Sequence, residues 1–167
     1  MRNMSKLKVT TPSDHEIVMT RAFNAPRSLV FDCCTKPELV RRWLLGPAGW
    51  SMPVCQIDLR VGGAYRFEWR HVLNGAEMAM GGIYHEIARP DRLVCTESFD
   101  EKWYTGDALD TMVFTERNGT TTLAQTILYE SRQARDMALS SEMEKGVAAN
   151  FDRLAELLAS GAVKAGA

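Results

Sequence analysis

Alternation of apolar and polar residues runs through much of the chain and predicts β-strands. In residues 61–71, VGGAYRFEWRH, Tyr65, Phe67 and Trp69 fall on one side of the alternation and charged residues on the other. Successive side chains of a strand point to opposite faces of a sheet, so these three aromatics share one apolar face. That face must be covered, and it lines either a packed core or a ligand cavity.

The patterns along the rest of the chain predict seven strands and three helices. Strands are predicted at 15–23, 52–60, 61–71, 76–87, 92–99, 110–117 and 120–129, and short helices at 26–35 and 37–44. A long helix is predicted near the C-terminus, where apolar residues recur at steps of three and four up to Gly161. Ser141 and Glu144 match the capping-box pattern at its start. A helix of this length spans about 30 Å, enough to cross a small domain.

Two Asn-Gly pairs predict tight hairpins, because a type I′ turn needs two residues with positive φ. The first pair, Asn74-Gly75, predicts that Trp69 lies opposite Met80, Phe67 opposite Gly82 and Tyr65 opposite Tyr84. The second pair, at 118–119, predicts that Phe114 lies opposite Leu123 and Met112 opposite Gln125. The aromatic face therefore extends across neighbouring antiparallel strands.

These elements predict an α+β fold in a single domain spanning residues 1–167. A curved antiparallel sheet of about seven strands wraps around the long C-terminal helix, with two short helices between the first and second strands. Residues 1–14 are expected to be flexible. One helix covers only part of such a sheet, which leaves room for a cavity under the short helices.

Composition narrows the possible partners. The chain has 167 residues, 46% of them hydrophobic, which is enough for a core of normal size. Its 20 basic and 21 acidic residues are mixed along the sequence, so no basic stripe favours nucleic acid. Neither a signal peptide nor a membrane-spanning run occurs, and we expect a cytoplasmic protein whose four cysteines are reduced.

Motifs that carry catalysis or bind cofactors do not occur in the sequence. It has no Ser-His-Asp order, no metal-ligand spacing and no phosphate-binding loop. The glycine pair in RVGGAY lies at the start of a strand, where it favours a bend over a phosphate cradle. No catalytic residue, metal or cofactor is therefore assigned.

Four segments together resemble one known superfamily: FNAPRSLVFDCCTKPELVRRWL, DLRVGGAYRF, GGIYHEIARPDRLV and RDMALSSEMEKGVAANFDRLAELLA. They resemble the helix-grip superfamily called SRPBCC, which includes START and pollen-allergen-like domains. Within it, the chain is most similar to the branch of activator of heat-shock-protein-90 ATPase homologues, C-terminal type. The resemblance runs from about His15 to Ala159 and implies a sheet that grips a C-terminal helix around a hydrophobic cavity. The chain differs from that pattern in having Leu44 in place of a second tryptophan and Glu142 in place of a glycine.

The resemblance makes the aromatic face a candidate ligand site. The residues predicted to bind the ligand are Trp43, Tyr65, Phe67, Trp69, Met80, Tyr84, Glu86, Leu93, Phe114 and Phe151. Aromatic and methionine side chains offer apolar area of adaptable shape. Glu86, Glu97 and His71 are the polar residues expected on the same face. They serve there as orienting or acid-base groups, or else they are strand-end groups that reach solvent.

Three functions are compatible with these features. Binding of a small hydrophobic molecule (a lipid, metabolite or polyketide-like compound) is favoured and requires no catalytic motif. An aromatase/cyclase-like or hydrolase-like enzyme would need the polar residues to converge in the cavity. A chaperone-ATPase-interacting protein is disfavoured, because the residues before the first predicted strand are too few to hold the extra N-terminal domain of eukaryotic relatives. A homodimer is compatible with the sequence, although no interface is identified.

Overall fold

The computed structural model describes residues 5–101 and 104–164, which form four helices and one eight-stranded antiparallel sheet. In chain order the elements are β1 (Lys8–Thr10), β2 (Glu16–Phe23), α1 (Arg27–Thr35), α2 (Pro37–Trp43), β3 (Trp50–Ile57), β4 (Ala64–His71), β5 (Glu77–Ala88), β6 (Arg92–Phe99), β7 (Ala108–Arg117), β8 (Thr120–Leu128), α3 (Arg132–Ser140) and α4 (Met143–Ala159). This arrangement confirms the α+β helix-grip fold.

The sheet is an open antiparallel meander that continues from its last strand, β8, into its first long strand, β2. Strands β3 to β8 are successive neighbours, β8 pairs with β2, and β1 forms the outer edge beside β2. Strand β1 was not among the predicted strands. It has three residues, of which only Val9 is apolar, so the alternation is too short to be recognised.

The two Asn-Gly pairs form different turns. Asn118 and Gly119 both have positive φ, and the predicted pairing of Phe114 with Leu123 is confirmed. At the other hairpin only Gly75 has positive φ, and residues 72–75 form a four-residue loop closed by the bond from His71 N to Ala76 O.

The longer loop shifts the register of β4 against β5 by two residues. The observed pairs are Trp69 with Met78, Phe67 with Met80 and Tyr65 with Gly82. The predicted register is therefore wrong, but an even shift leaves the paired residues 64–70 and 77–83 on their predicted faces. We call the face that carries the aromatics the inner face.

Helix α4 packs against the inner face through its C-terminal half. Its buried residues are Phe151, Leu154, Leu157 and Leu158. On the same helix, Asp152 accepts a hydrogen bond of 2.6 Å from the buried Arg21 of β2, whose guanidinium also lies over the Phe23 ring. Residues 132–140 form the separate helix α3 before α4, and its N-terminus is capped by the side chain of Ser131. Within the described residues, no helix is long and apolar enough to span a membrane.

Candidate functional site

A cavity of about 620 Å³ lies between the inner face of the sheet and helix α4. Its lining comes from strands β2 to β8, from all four helices, and from the loop that follows α2. Most lining side chains are aromatic, aliphatic or sulfur-containing. A volume of this size matches the pockets in which proteins hold small organic molecules.

The aromatic side chains of β4 form one wall of the cavity. The Phe67 ring lies 5.1 Å from the Tyr65 ring and 6.0 Å from the Trp69 ring, measured between centroids. Tyr65 Oη donates a hydrogen bond of 2.6 Å to the Thr96 carbonyl, and Trp69 Nε1 donates one of 2.8 Å to the Leu44 carbonyl. The polar atoms of this wall are thus satisfied by the backbone, and the rings present apolar surface to the cavity.

The cavity opens to solvent between the loop at 44–47 and the N-terminal half of α4. Exposed residues there, including Pro47 and Lys145, belong to its lining. The loop is attached to α4 because Asn150 Oδ1 accepts hydrogen bonds from the amides of Leu45 and Gly46, at 3.0 and 2.6 Å. We call this opening the mouth.

A polar group interrupts the apolar lining where β6, β7 and β8 adjoin. It consists of Glu97, Asp110 and Gln125, which all line the cavity. Gln125 Nε2 donates a hydrogen bond of 2.7 Å to Asp110 Oδ2. Asp110 Oδ1 is buried and receives no hydrogen bond from an amide, hydroxyl or basic group of the described residues. Its neighbour is the carboxyl group of Glu97, which can donate to it only when protonated.

The pair of Glu97 and Asp110 is more stable with one carboxyl group ionised than with both ionised. Burial and the adjacent carboxylate raise the pKa of Glu97 far above its usual range. Burial also raises the pKa of Asp110, although the bonds from Gln125 and Glu97 act in the opposite direction. Glu97 is therefore the member that holds the proton and Asp110 the member that holds the charge.

Other titratable groups near this pair stay neutral. Burial raises the pKa of Tyr104 and Tyr129, and the nearby Glu97 adds to the effect. Burial likewise raises the pKa of the cavity thiols Cys34 and Cys95, so they are poor nucleophiles. No cluster of side chains suited to a metal ion occurs among residues 5–101 and 104–164.

The structure brings most of the predicted site residues to the cavity. Those that line it are Trp43, Tyr65, Phe67, Trp69, Met80, Tyr84, Leu93 and Phe151. Their common origin is strand alternation on β4, β5 and β6, together with the inward side of α2 and α4.

Glu86 and Phe114 do not line the cavity, contrary to prediction. A β-bulge between Tyr84 and Glu86 reverses the facing of β5, so Glu86 is exposed and forms an ion pair with Arg92 at 2.6 Å. Phe114 is on the inner face, but its ring packs against Phe31 of α1, with centroids 5.3 Å apart, as part of the solid core.

His71 also lies outside the cavity lining. It pairs with Trp50 at the end of β4, and the two rings meet edge to face with centroids 5.2 Å apart. Among the three polar residues expected at the site, only Glu97 lines the cavity.

Sequence reasoning missed Asp110, Gln125 and Tyr104 as site residues. The position of Asp110 could have been predicted from the alternation in DTMVF, which places it on the same face of the strand as Met112 and Phe114. The pairing of β6 with β7, which places Cys95 opposite Asp110, brings this carboxyl group beside Glu97. Tyr104 belongs to the irregular segment before β7, for which no periodic signal exists.

Comparison with known proteins identifies the family. Residues 24–159 match the model of the family described as Activator of Hsp90 ATPase homolog 1-like protein. The chain belongs to this family, in agreement with the resemblance to the SRPBCC superfamily read from the sequence. A search among curated proteins gave no match.

Solved structures share the fold along nearly the whole chain. A protein from Rhodobacter sphaeroides is 26% identical, with a TM-score of 0.87 over 93% of this chain and 99% of that one. An AHSA1-like protein from Aeromonas hydrophila is 18% identical, with a TM-score of 0.66 over 84% of this chain and 92% of that one. CalU16 from Micromonospora echinospora is 19% identical, with a TM-score of 0.56 over 95% of this chain and 87% of that one. The last two likenesses concern the fold alone.

Proposed function

We propose that the protein binds a small hydrophobic molecule in the cavity between the sheet and α4. The observation that carries this proposal is the cavity itself, about 620 Å³ in volume and lined mostly by apolar side chains. The eight predicted residues that line it are the proposed ligand contacts. A lipid tail, a hydrophobic metabolite and a polyketide-like ring system all have suitable chemistry.

Burial of apolar ligand surface supplies the binding energy. Each methylene group transferred from water into the cavity contributes up to about 0.8 kcal/mol, which corresponds to about fourfold in affinity. The gain continues only while the cavity has room for the next group. Affinity plotted against ligand length should therefore rise and then level off at a length set by the cavity.

A series of straight-chain primary alcohols tests this expectation by isothermal titration calorimetry. The native protein should gain affinity by up to about fourfold per methylene group until the cavity is full. In the Val147→Phe variant the gain should stop at a shorter alcohol, because Val147 lines the cavity from α4 and a larger side chain takes up ligand space.

Ala148→Phe is the matched control, because this neighbouring residue of α4 does not line the cavity. It should leave the length limit unchanged. Absence of binding across the whole series, or an equal effect of the two variants, would contradict the proposal. Circular dichroism of both variants establishes that each is folded.

A further inference from the structure

The polar group in the cavity contains hydrogen-bonding capacity that the described residues do not use. Asp110 and Tyr104 are buried; among the described residues Tyr104 Oη has no hydrogen-bond partner, and Asp110 Oδ1 has none apart from the neighbouring Glu97 carboxyl group. Both residues line the cavity together with Glu97. A buried polar atom without a partner destabilises the folded protein, so a ligand group that bonds to these atoms is favoured.

Among residues 5–101 and 104–164, no basic side chain balances the charge of this group. The interactions that shift the pKa values of Glu97 and Asp110 include no Lys, Arg or His. Among the described lining residues the only basic one is Lys145, which is largely exposed and lies 3.2 Å from Glu142. The titratable neighbours Tyr65, Cys95, Tyr104 and Tyr129 are uncharged at neutral pH.

We propose that the cavity selects an apolar molecule carrying a protonated amine, which binds between Glu97 and Asp110. This inference rests on the proposed function and specifies its ligand class. An ammonium group has three N–H donors, matching the open acceptors of the two carboxyl groups and the Tyr104 hydroxyl. A ligand carboxylate at the same place is repelled by Asp110.

Binding of a protonated amine should release a proton from the carboxyl pair, whereas binding of a neutral ligand should not. The free pair holds one proton, on Glu97, and the arriving cation favours ionisation of both carboxyl groups. The bound state then contains two carboxylates and one ammonium ion, and the displaced proton leaves to buffer. A ligand that enters without a charge leaves the proton where it is.

Three probes with one alkyl chain and different head groups separate these cases: dodecylammonium, dodecanol and dodecanoate. We expect the ammonium probe to bind at least about tenfold more tightly than the alcohol, because close charge pairs in a desolvated site contribute more than 1.4 kcal/mol. The carboxylate probe should bind least. Calorimetry in two buffers with different ionisation enthalpies should show proton release with the ammonium probe only.

The double variant Glu97→Gln, Asp110→Asn should lose the preference for the ammonium probe and the proton release while still binding dodecanol. Glu86→Gln is the control, because Glu86 is an exposed glutamate away from the cavity. Equal affinity for ammonium and alcohol, or a preference that survives in the double variant, overturns the inference and leaves hydrophobic binding intact. Failure of all three probes to bind contradicts both proposals.

Discussion

Replacement of Leu93 or Leu123 by alanine distinguishes the wall of a cavity from a packed core. Both leucines are buried on the inner face of the sheet, Leu93 on β6 and Leu123 on β8. Leu93 lines the cavity, whereas Leu123 is fully buried and belongs to the core without lining it. The substitution removes the same three carbon atoms at each position, so any difference in effect comes from the surroundings.

The expected losses of stability differ by about 1–2 kcal/mol. Removal of three buried carbon atoms eliminates about 2.4 kcal/mol of transfer free energy at either site. At Leu123 a new closed void adds a further term, which brings the total to about 4 kcal/mol, within the range measured for leucine truncation in packed cores. At Leu93 the vacated space joins a cavity that already opens to solvent, so the loss stays near about 2 kcal/mol.

Urea denaturation followed by tryptophan fluorescence measures both losses as changes in the free energy of unfolding. The alcohol series supplies a second readout. Leu93→Ala should extend the longest alcohol that still gains affinity, and Leu123→Ala should not. Equal losses of stability at the two positions would show that Leu93 is ordinary core. An unchanged length limit in Leu93→Ala would show that the alcohols do not bind against Leu93 in the cavity.

Three other predictions follow from individual contacts. Glu142 has φ of 63°, so Glu142→Gly should relieve strain and raise the free energy of unfolding by about 0.5–1 kcal/mol in urea titrations. Asn150→Ala should remove both bonds to the loop at 44–47, destabilise the protein by about 1–3 kcal/mol and speed hydrogen exchange at Leu45 and Gly46. The folded state raises the pKa of Glu97 above the ordinary glutamate value of about 4.3. As pH rises above that value, Glu97 ionises in the unfolded chain while it stays protonated in the folded protein, so the free energy of unfolding should fall. Chemical denaturation across pH should show a flatter curve for Glu97→Gln, and an unchanged slope would contradict a protonated Glu97.

Strand faces were predictable from the sequence, but strand registers were predictable only where the turn was tight. The inner-face positions of Tyr65, Phe67 and Trp69 follow from an alternation that any register shift by two residues preserves. Asn118 and Gly119 adopt the two positive φ values that their sequence favours. The other Asn-Gly pair has the same local preference, yet the chain forms a four-residue loop there, so a dipeptide alone does not determine loop length.

The candidate site was predictable in its apolar part and not in its polar part. Apolar lining residues need only the correct face, which alternation supplies. Glu86 was placed wrongly because a β-bulge has no signature in the alternation of β5. The proximity of Asp110 to Glu97 depends on the pairing of β6 with β7, and no turn motif in the connecting sequence specifies that register.

The two halves of helix α4 have different roles: the C-terminal half packs against the sheet and the N-terminal half lines the cavity. Its C-terminal half buries Phe151 and Leu154 and holds the helix against the sheet. Its N-terminal half contributes the partly buried Met143 and Val147 to the cavity and begins at Glu142, which has positive φ and provides no side-chain cap; the Ser141–Glu144 capping box does not form. The first turns of α4 therefore lack a capping bond beside the mouth, and if a ligand binds in the cavity we expect these turns to open locally and admit it. A ligand in the cavity would contact both halves, so its binding should stabilise the first turns of α4 by RT ln(1 + L/Kd), where L is the free ligand concentration; this rises with the logarithm of ligand concentration once that concentration exceeds the dissociation constant.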